Sequence, residues 1–331
     1  MIESLERDIV THWAVFPPVR VEPFLLGANN TSYMVSAAKG TYVLKWYRNT
    51  NEPQWLRFEH GLLDALAHAN LPFAVPEPVP TLSGASHVEA TCGPDTRILV
   101  LFRLILGRAA VFCNVPEANR SGHALAVLDE ALAQVSLDPS IVLPNAFDDL
   151  SSIHIRVPRP FDAVGKLTGT DQVAHLMSAT EDRWHRVTVD WRSQLIHGDF
   201  YPSNTLVSSG EVSGILDFEF SGLGFRVMDF AVGLAAFSTK DWERDCAWDA
   251  LTAFASGYLE RTPFTETELA AIPTMMLKRE TTSLVHWLGR LEEGLTTLDD
   301  MHSRIARLLA LERWLEGNEA RLLDCLDRIN R

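Results

Sequence analysis

Residues 194–222 read QLIHGDFYPSNTLVSSGEVSGILDFEFSG, and the fold turns on how this stretch is read. Two short apolar runs, TLV at 205–207 and VSGILDF at 212–218, flank a Ser-Gly pair, which is a turn signal between strands. They predict a hairpin. His197 and Asp199 lie just before its first strand, Asp217 stands where the second strand ends, and Glu219 lies just beyond. A hairpin folds these ends toward each other and would gather Asp199, Asn204 and Asp217 at one end of the pair. Two carboxylates and an amide carbonyl are hard oxygen ligands. With water and phosphate oxygens they suit Mg²⁺, which is rarely held by an all-protein cage. A further carboxylate that stays off the metal could accept a proton from a hydroxyl nucleophile.

The part of the chain before this stretch is strand-rich. Residues 2–14 predict a short amphipathic helix. Thr31–Ser36 and Thr41–Tyr47 predict two strands around the Lys39-Gly40 turn, and Gly27-Ala28-Asn29-Asn30 predicts a loop before them. Thr50–Asn70 predicts a helix, with Asn51 as its cap and Pro53 in its first turn. Its apolar stripe is Trp55, Phe58, Leu62, Ala65, Leu66 and Ala69. RILVLFRL at 97–104 predicts a buried strand. After Gly107 helical patterns dominate, over 115–136, 171–186, 227–238, 241–259, 265–293 and 297–328, while 138–168 gives no clear pattern. These shifts predict an α+β chain of two lobes, a β-rich N-terminal lobe over 1–106 and a mostly α-helical lobe over 107–331.

Lys45 ends the apolar run YVLK, and Glu59 follows on the predicted helix at the edge of its buried stripe. A carboxylate there is costly unless paired, and Lys45 is the natural partner. Taken alone, Lys45 would be a solvated strand-end lysine; beside the motif of 197–217 the pairing is preferred.

Bulk properties narrow the classes of function. The chain has 331 residues, 47% of them apolar, and a formal charge of −14, which makes it a poor partner for nucleic acid or an anionic membrane. Residues 1–107 hold ten acidic and eight basic side chains, so the later part carries nearly all the excess negative charge. The four cysteines, Cys92, Cys113, Cys246 and Cys325, show no paired spacing and read as buried free thiols of a cytoplasmic protein. No signal peptide or membrane span is expected.

The order H-G-D-x-x-x-x-N, then I-x-D-x-E, resembles the aminoglycoside phosphotransferase and choline kinase superfamily of small-molecule kinases. It departs from protein kinases proper at Gly198, which replaces an arginine, and at Glu219, where DFE replaces DFG. The resemblance covers most of the chain and implies a protein-kinase-like fold using ATP and Mg²⁺. It implies Asp199 as the catalytic base or the residue that orients the acceptor hydroxyl, with Asn204 and Asp217 on the metal. Glu219 assists that shell through water, and His197 and Asp229 brace the loop. Lys45 and Glu59 hold the phosphates, and Asn30 and Thr31 touch them from the loop at 27–31. Phe102 and Leu104, in the hinge 102–106 ahead of Gly107, meet adenine. Tyr201 and Trp287 are walls for the acceptor. Trp242, Trp248 and Trp314 read as helix packing, and His123, His154 and His286 as isolated histidines. Arg279 and Arg290 read as surface residues, with the cleft as the alternative.

By texture the chain resembles homoserine kinase type II-like proteins. The acceptor implied is a small-molecule hydroxyl, that of homoserine or a similar amino alcohol. An aminoglycoside or amino sugar is the alternative, favoured by the acidic C-terminal lobe. A nucleotide-binding module without turnover is a second alternative, against which the intact Lys45, Asp199, Asn204 and Asp217 argue. A metal-dependent phosphohydrolase would need more metal-spaced histidines than the sequence has. The expected assembly is a monomer or homodimer.

Overall fold

The computed structural model describes residues 2–24, 30–47, 53–92, 95–147, 149–188, 191–244 and 246–331. The chain divides into two compact units. Unit one is Met1–Gly107, Val135–Leu143 and Ser213–Asp217; unit two is Arg108–Gln134, Pro144–Val212 and Phe218–Arg331.

Unit one is built on helix α1 (Ile2–His12), strands β1 (Arg20–Phe24), β2 (Thr31–Ala37) and β3 (Gly40–Tyr47), helix α2 (Pro53–Ala67), and strands β4 (Val88–Cys92) and β5 (Asp95–Arg103). The five strands form one antiparallel sheet in the order β1-β2-β3-β5-β4. Alternation sorts its side chains. Tyr33, Val35, Leu44 and Trp46 join Leu5, Ile9 and Trp13 of the N-terminal segment in one apolar cluster. The Trp13 indole N–H is satisfied by the Val79 carbonyl at 2.9 Å. Lys45 and Tyr47 take the opposite face. On α2, Leu56, Phe58, Leu62, Leu63 and Leu66 are buried. Trp55, assigned to the buried stripe from its spacing, is 40% exposed, so the buried face is rotated toward Leu56 and Leu63. The predicted Asn51 cap lies outside the described residues, as do Gly27–Asn29 of the predicted phosphate loop.

Unit two contains β6 (Arg108–Ala109), α3 (Val115–Leu132), α4 (Pro160–Thr168), α5 (Gln172–Thr188), β7 (Gln194–Ile196), β8 (Thr205–Ser208), the start of β9 (Glu211–Ile215), β10 (Gly222–Gly224), α6 (Arg226–Ser238), α7 (Trp248–Leu259), α8 (Glu266–Glu292) and α9 (Leu298–Asn330). The Ser209-Gly210 turn of the β8–β9 hairpin has φ of 52° and 86°, the pair of positive values that a two-residue hairpin loop uses. Thr265 and Thr297 start α8 and α9 with capping boxes to Glu268 and Asp300. α6 is apolar nearly all round and is buried accordingly. Helices α3 and α7 cross where each presents a glycine. A Cβ on Gly122 would lie 2.1 Å from the Phe254 carbonyl oxygen, and one on Gly257 would lie 1.9 Å from that of Asn119.

Three expectations fail here. Residues 160–168 form α4, which the sequence pattern did not disclose. Residues 241–244, 246 and 247 are not helical, so Trp242 lies outside α7, although it packs on Trp314 at 4.8 Å between ring centres. Cys113 is exposed rather than buried. No helix among the described residues is long and apolar enough to cross a membrane.

Candidate active site

In unit two, β7 delivers the chain into His197-Gly198-Asp199. Asp229, in the first turn of α6 and fully buried, cradles this loop. Its Oδ2 accepts the His197 N–H at 2.5 Å, and its Oδ1 accepts the Gly198 N–H at 2.7 Å. The His197 ring is buried against Phe218 at 4.7 Å, and its Nδ1 accepts the Asp199 N–H at 3.2 Å. Ser221 donates its hydroxyl to the His197 carbonyl at 3.2 Å. His197 and Asp229 thus both make hydrogen bonds to the loop backbone.

Gly198 has φ of +80°, and a Cβ there would sit 2.4 Å from the Phe220 carbonyl oxygen. The glycine that departs from the protein-kinase pattern is thus required twice, by a left-handed backbone and by a close backbone approach.

Beyond Asp199, a 3-10 turn over Pro202–Asn204 brings the chain back on itself. The Asn204 Nδ2 donates to both the carbonyl and Oδ2 of Asp199, each at 3.0 Å. Two acceptors on one atom identify it as the amide nitrogen, so Oδ1 is the acceptor atom that Asn204 can offer a cation. The other carboxylate oxygen of Asp199 is held by Arg279 of α8, whose Nη2 donates to Oδ1 at 2.5 Å, with both side chains more than four-fifths buried. Tyr201 lies over the same guanidinium at 5.6 Å. Arg279, read from sequence as a surface residue, is part of the site; its position 80 residues from Asp199 left no local signal.

A second missed residue lies under the loop. Asp129 of α3 is 1% exposed and accepts the Tyr258 hydroxyl at 2.6 Å. Burial, then the charge of Asp229, push the Asp129 carboxyl well above the usual carboxylate range. Asp129 follows Ser121, Gly122 and Leu125 on the buried stripe of α3, and an acid on an apolar stripe was the available clue.

In unit one, Ser213–Asp217 joins the body through Ala74, whose N–H donates to the Ser213 carbonyl and whose carbonyl accepts the Ile215 N–H, both at 3.0 Å. This carries Asp217 to Lys45, with Nζ 2.9 Å from Oδ1. Asp217 has φ of +66°, a conformation that aspartate tolerates better than most residues. Lys45 lies 4.8 Å over the Tyr47 ring, and the Tyr47 hydroxyl reaches both oxygens of Glu59 at 3.1 Å. Glu59 is 7% exposed. Its neighbour His60 has its pKa lowered to about 4, by burial first, then by His87 and Lys45. At the predicted hinge, the Leu104 N–H is taken by the Thr41 carbonyl at 3.3 Å. Phe102 is buried in β5, with its ring edge-on to His60. Asn30 and Thr31 are half-buried at the start of β2.

Of the remaining candidates, Glu219 sits on a 3-10 turn over Phe218–Phe220 and is half-buried. Trp287 on α8 is half-buried between arginines, with Arg304 3.7 Å and Arg290 4.9 Å from its ring centre. Arg290 is buried, not a surface residue. His154 and His286, read as isolated, have ring centres 6.2 Å apart.

The profile of the phosphotransferase enzyme family matches residues 20–272. The homoserine kinase of Zymomonas mobilis is 26% identical over 253 residues, 76% of this chain and 74% of its own length. That of Xanthobacter autotrophicus is 28% identical over 284 residues, 83% of each chain. Among solved structures, a microcompartment-associated aminopropanol kinase superposes with a TM-score of 0.76 at 19% identity, over 97% of this chain and 99% of that one, a likeness of fold. The resemblance first seen in the H-G-D-x-x-x-x-N stretch holds, and with it the kinase-like α+β fold. The chain belongs to the phosphotransferase enzyme family, as a kinase of small molecules.

Proposed function

We propose that the chain transfers the γ-phosphoryl group of ATP to the primary hydroxyl of an amino alcohol of the homoserine type. The observation that carries this reading is the fixing of Asp199. Its carboxylate is held by Asn204 and Arg279, and its backbone by the His197 ring and, through the neighbouring amides, by Asp229. A carboxylate positioned so firmly suits the task of orienting a hydroxyl and receiving its proton. The acceptor oxygen forms a bond to the γ-phosphorus as the bond from that phosphorus to the β-bridging oxygen breaks. ADP leaves with the electron pair, and the hydroxyl proton passes to Asp199.

Asn204, through Oδ1, and Asp217, through its carboxylate, are the residues that would hold Mg²⁺, with Glu219 assisting through water. Their donor set, a carboxylate and an amide carbonyl, consists of hard oxygens and fits. Mg²⁺ characteristically takes one or two protein oxygens and fills its shell with phosphate and water. When bound, it neutralises charge on the phosphates. Lys45 and Glu59 serve the phosphates, so Lys45 exchanges Asp217 for phosphate oxygens when nucleotide binds. The homoserine kinase names of the relatives support the acceptor class. An aminoglycoside or amino sugar is the competing acceptor.

ADP release is measured with Mg·ATP over homoserine, 3-aminopropan-1-ol, choline, hexosamines and aminoglycosides. Asp199→Asn is expected to lower turnover at least a hundredfold while ATP binding is retained; Asp217→Ala is expected to weaken Mg·ATP binding as well. Wild-type turnover in Asp199→Asn would overturn the mechanism.

A further inference from the structure

Helix α8 carries Arg279, Ser283, His286 and Arg290 at steps of four, three and four, which is one face of a helix. Helix α9 supplies two more arginines to the same region. Arg304 donates to the Ser283 hydroxyl at 3.3 Å and stacks on Trp287, and Arg307 pairs with Glu280 at 2.8 Å. Two of these arginines have carboxylate partners. Asp199 answers Arg279 and Glu280 answers Arg307. Arg304 has no carboxylate partner among the described residues. Its polar contact is a neutral hydroxyl, and its stack is on an aromatic face that Arg290 shares.

Two buried polar atoms nearby have no hydrogen-bond partner: the Arg279 Nε, a donor, and His286 Nε2. His286 is neutral, its pKa taken to about 3 by burial first and then by Arg290, His154, Arg279 and Arg304. Burial likewise lowers Arg304 to about 10, with Glu280 opposing the shift and Arg279 adding to it. A half-buried guanidinium without an ion-pair partner, beside an unspent donor, is costly to maintain and is relieved by an anion. Arg279 links the cluster to the chemistry, since its Nη2 is on Asp199 while its Nε is unspent.

We propose that Arg304, with Arg279, Arg290 and His286 beside it, forms a subsite for a carboxylate carried by the acceptor. The enzyme would thereby select hydroxy amino acids over amino alcohols that lack the acid. The inference deepens the phosphotransferase reading and rests on it, because Asp199 sets where the hydroxyl lies. It reverses what net charge alone suggests: the helical part of the chain is strongly acidic, which favours polycationic acceptors, but next to Asp199 the local sign is positive.

Two measurements test it. Without nucleotide, malonate is titrated calorimetrically into wild type, Arg304→Gln and Arg304→Lys, each checked for a cooperative melt. Saturable binding that weakens at least tenfold in Arg304→Gln and is partly restored in Arg304→Lys is the expected result. With Mg·ATP, the ratio of kcat/KM for homoserine to that for 3-aminopropan-1-ol is expected to fall at least tenfold in Arg304→Gln. No malonate binding by the wild type, or an unchanged ratio in a folded Arg304→Gln, would overturn the subsite. Malonate binding that depends on Arg304, in a protein that phosphorylates neither alcohol, would support the subsite and overturn the acceptor named above.

Discussion

Replacing Gly198 with alanine puts a methyl carbon 2.4 Å from the Phe220 carbonyl oxygen, where ordinary contact begins near 3.4 Å. The two backbone segments must part by about 1 Å. The backbone at φ +80° adds its own penalty, about 1–2 kcal/mol for an L-residue in the left-handed region. Parting them stretches the Gly198 N–H contact to Asp229 from 2.7 Å to beyond hydrogen-bonding range. A hydrogen bond to a charged group contributes about 1.5–3 kcal/mol, so the substitution costs about 3–5 kcal/mol where the loop cannot yield. Where it does yield, Asp199 moves with it, and a misplacement of about 1 Å at the reacting group costs on the order of 10²-fold in rate. The assay is a thermal melt and kcat on the same preparation. A fall in Tm of about 4–7 °C, or a loss of kcat near a hundredfold, is expected, at about 1.4 °C per kcal/mol from an unfolding entropy of about 2.1 cal/mol/K per residue over 331 residues. Asparagine at 198 tolerates the positive φ but keeps the clash, so it should rescue neither property. A Gly198→Ala protein with wild-type Tm and kcat would refute the reasoning, and full rescue by asparagine would show that φ alone matters.

Two further predictions concern buried charge. Lys278 is fully buried and pairs with Glu181 at 2.6 Å beneath the Trp184 ring, so Lys278→Met should cost about 3–5 kcal/mol by stranding the carboxylate. Adding Glu181→Leu should recover most of that loss in denaturant titrations; a double variant no more stable than the single one would contradict it. Asp129 has a folded pKa above its unfolded value, so its contribution to stability is full below about 4 and is lost as pH rises toward the folded pKa. Asp129→Asn, which mimics the protonated acid, should flatten that decline when stability is measured across pH 4–9. Parallel profiles for the two proteins would mean that the Asp129 carboxyl is not raised in the folded state. Asp129→Ala, which leaves the Tyr258 hydroxyl without its acceptor, should be less stable at every pH.

What could be read from the chain alone was set by neighbours in sequence. The alternation in β2 and β3, the Ser209-Gly210 turn and the H-G-D-x-x-x-x-N spacing are short-range patterns, and they disclosed the strands, the hairpin and the loop between β7 and β8. The failures are of one kind. Trp55 was assigned to the wrong face because helical period gives the stripe but not its exact rotation against a partner. Arg279 was assigned to the surface, with the cleft as the alternative, and Asp129 was passed over, because a charged residue on a helix looks the same in sequence whether it faces water or a buried counterpart. The pairing of Asp217 with Lys45 across 172 residues, of Arg279 with Asp199 across 80, and of Asp129 with Tyr258 across 129 depends on which faces the packing brings together. Burial then makes such pairing obligatory, since a desolvated charge must find a partner or give up its proton. Local pattern therefore specifies the elements and the loop that carries the chemistry. Only tertiary packing decides which distant charges surround that loop, and so what the site can bind.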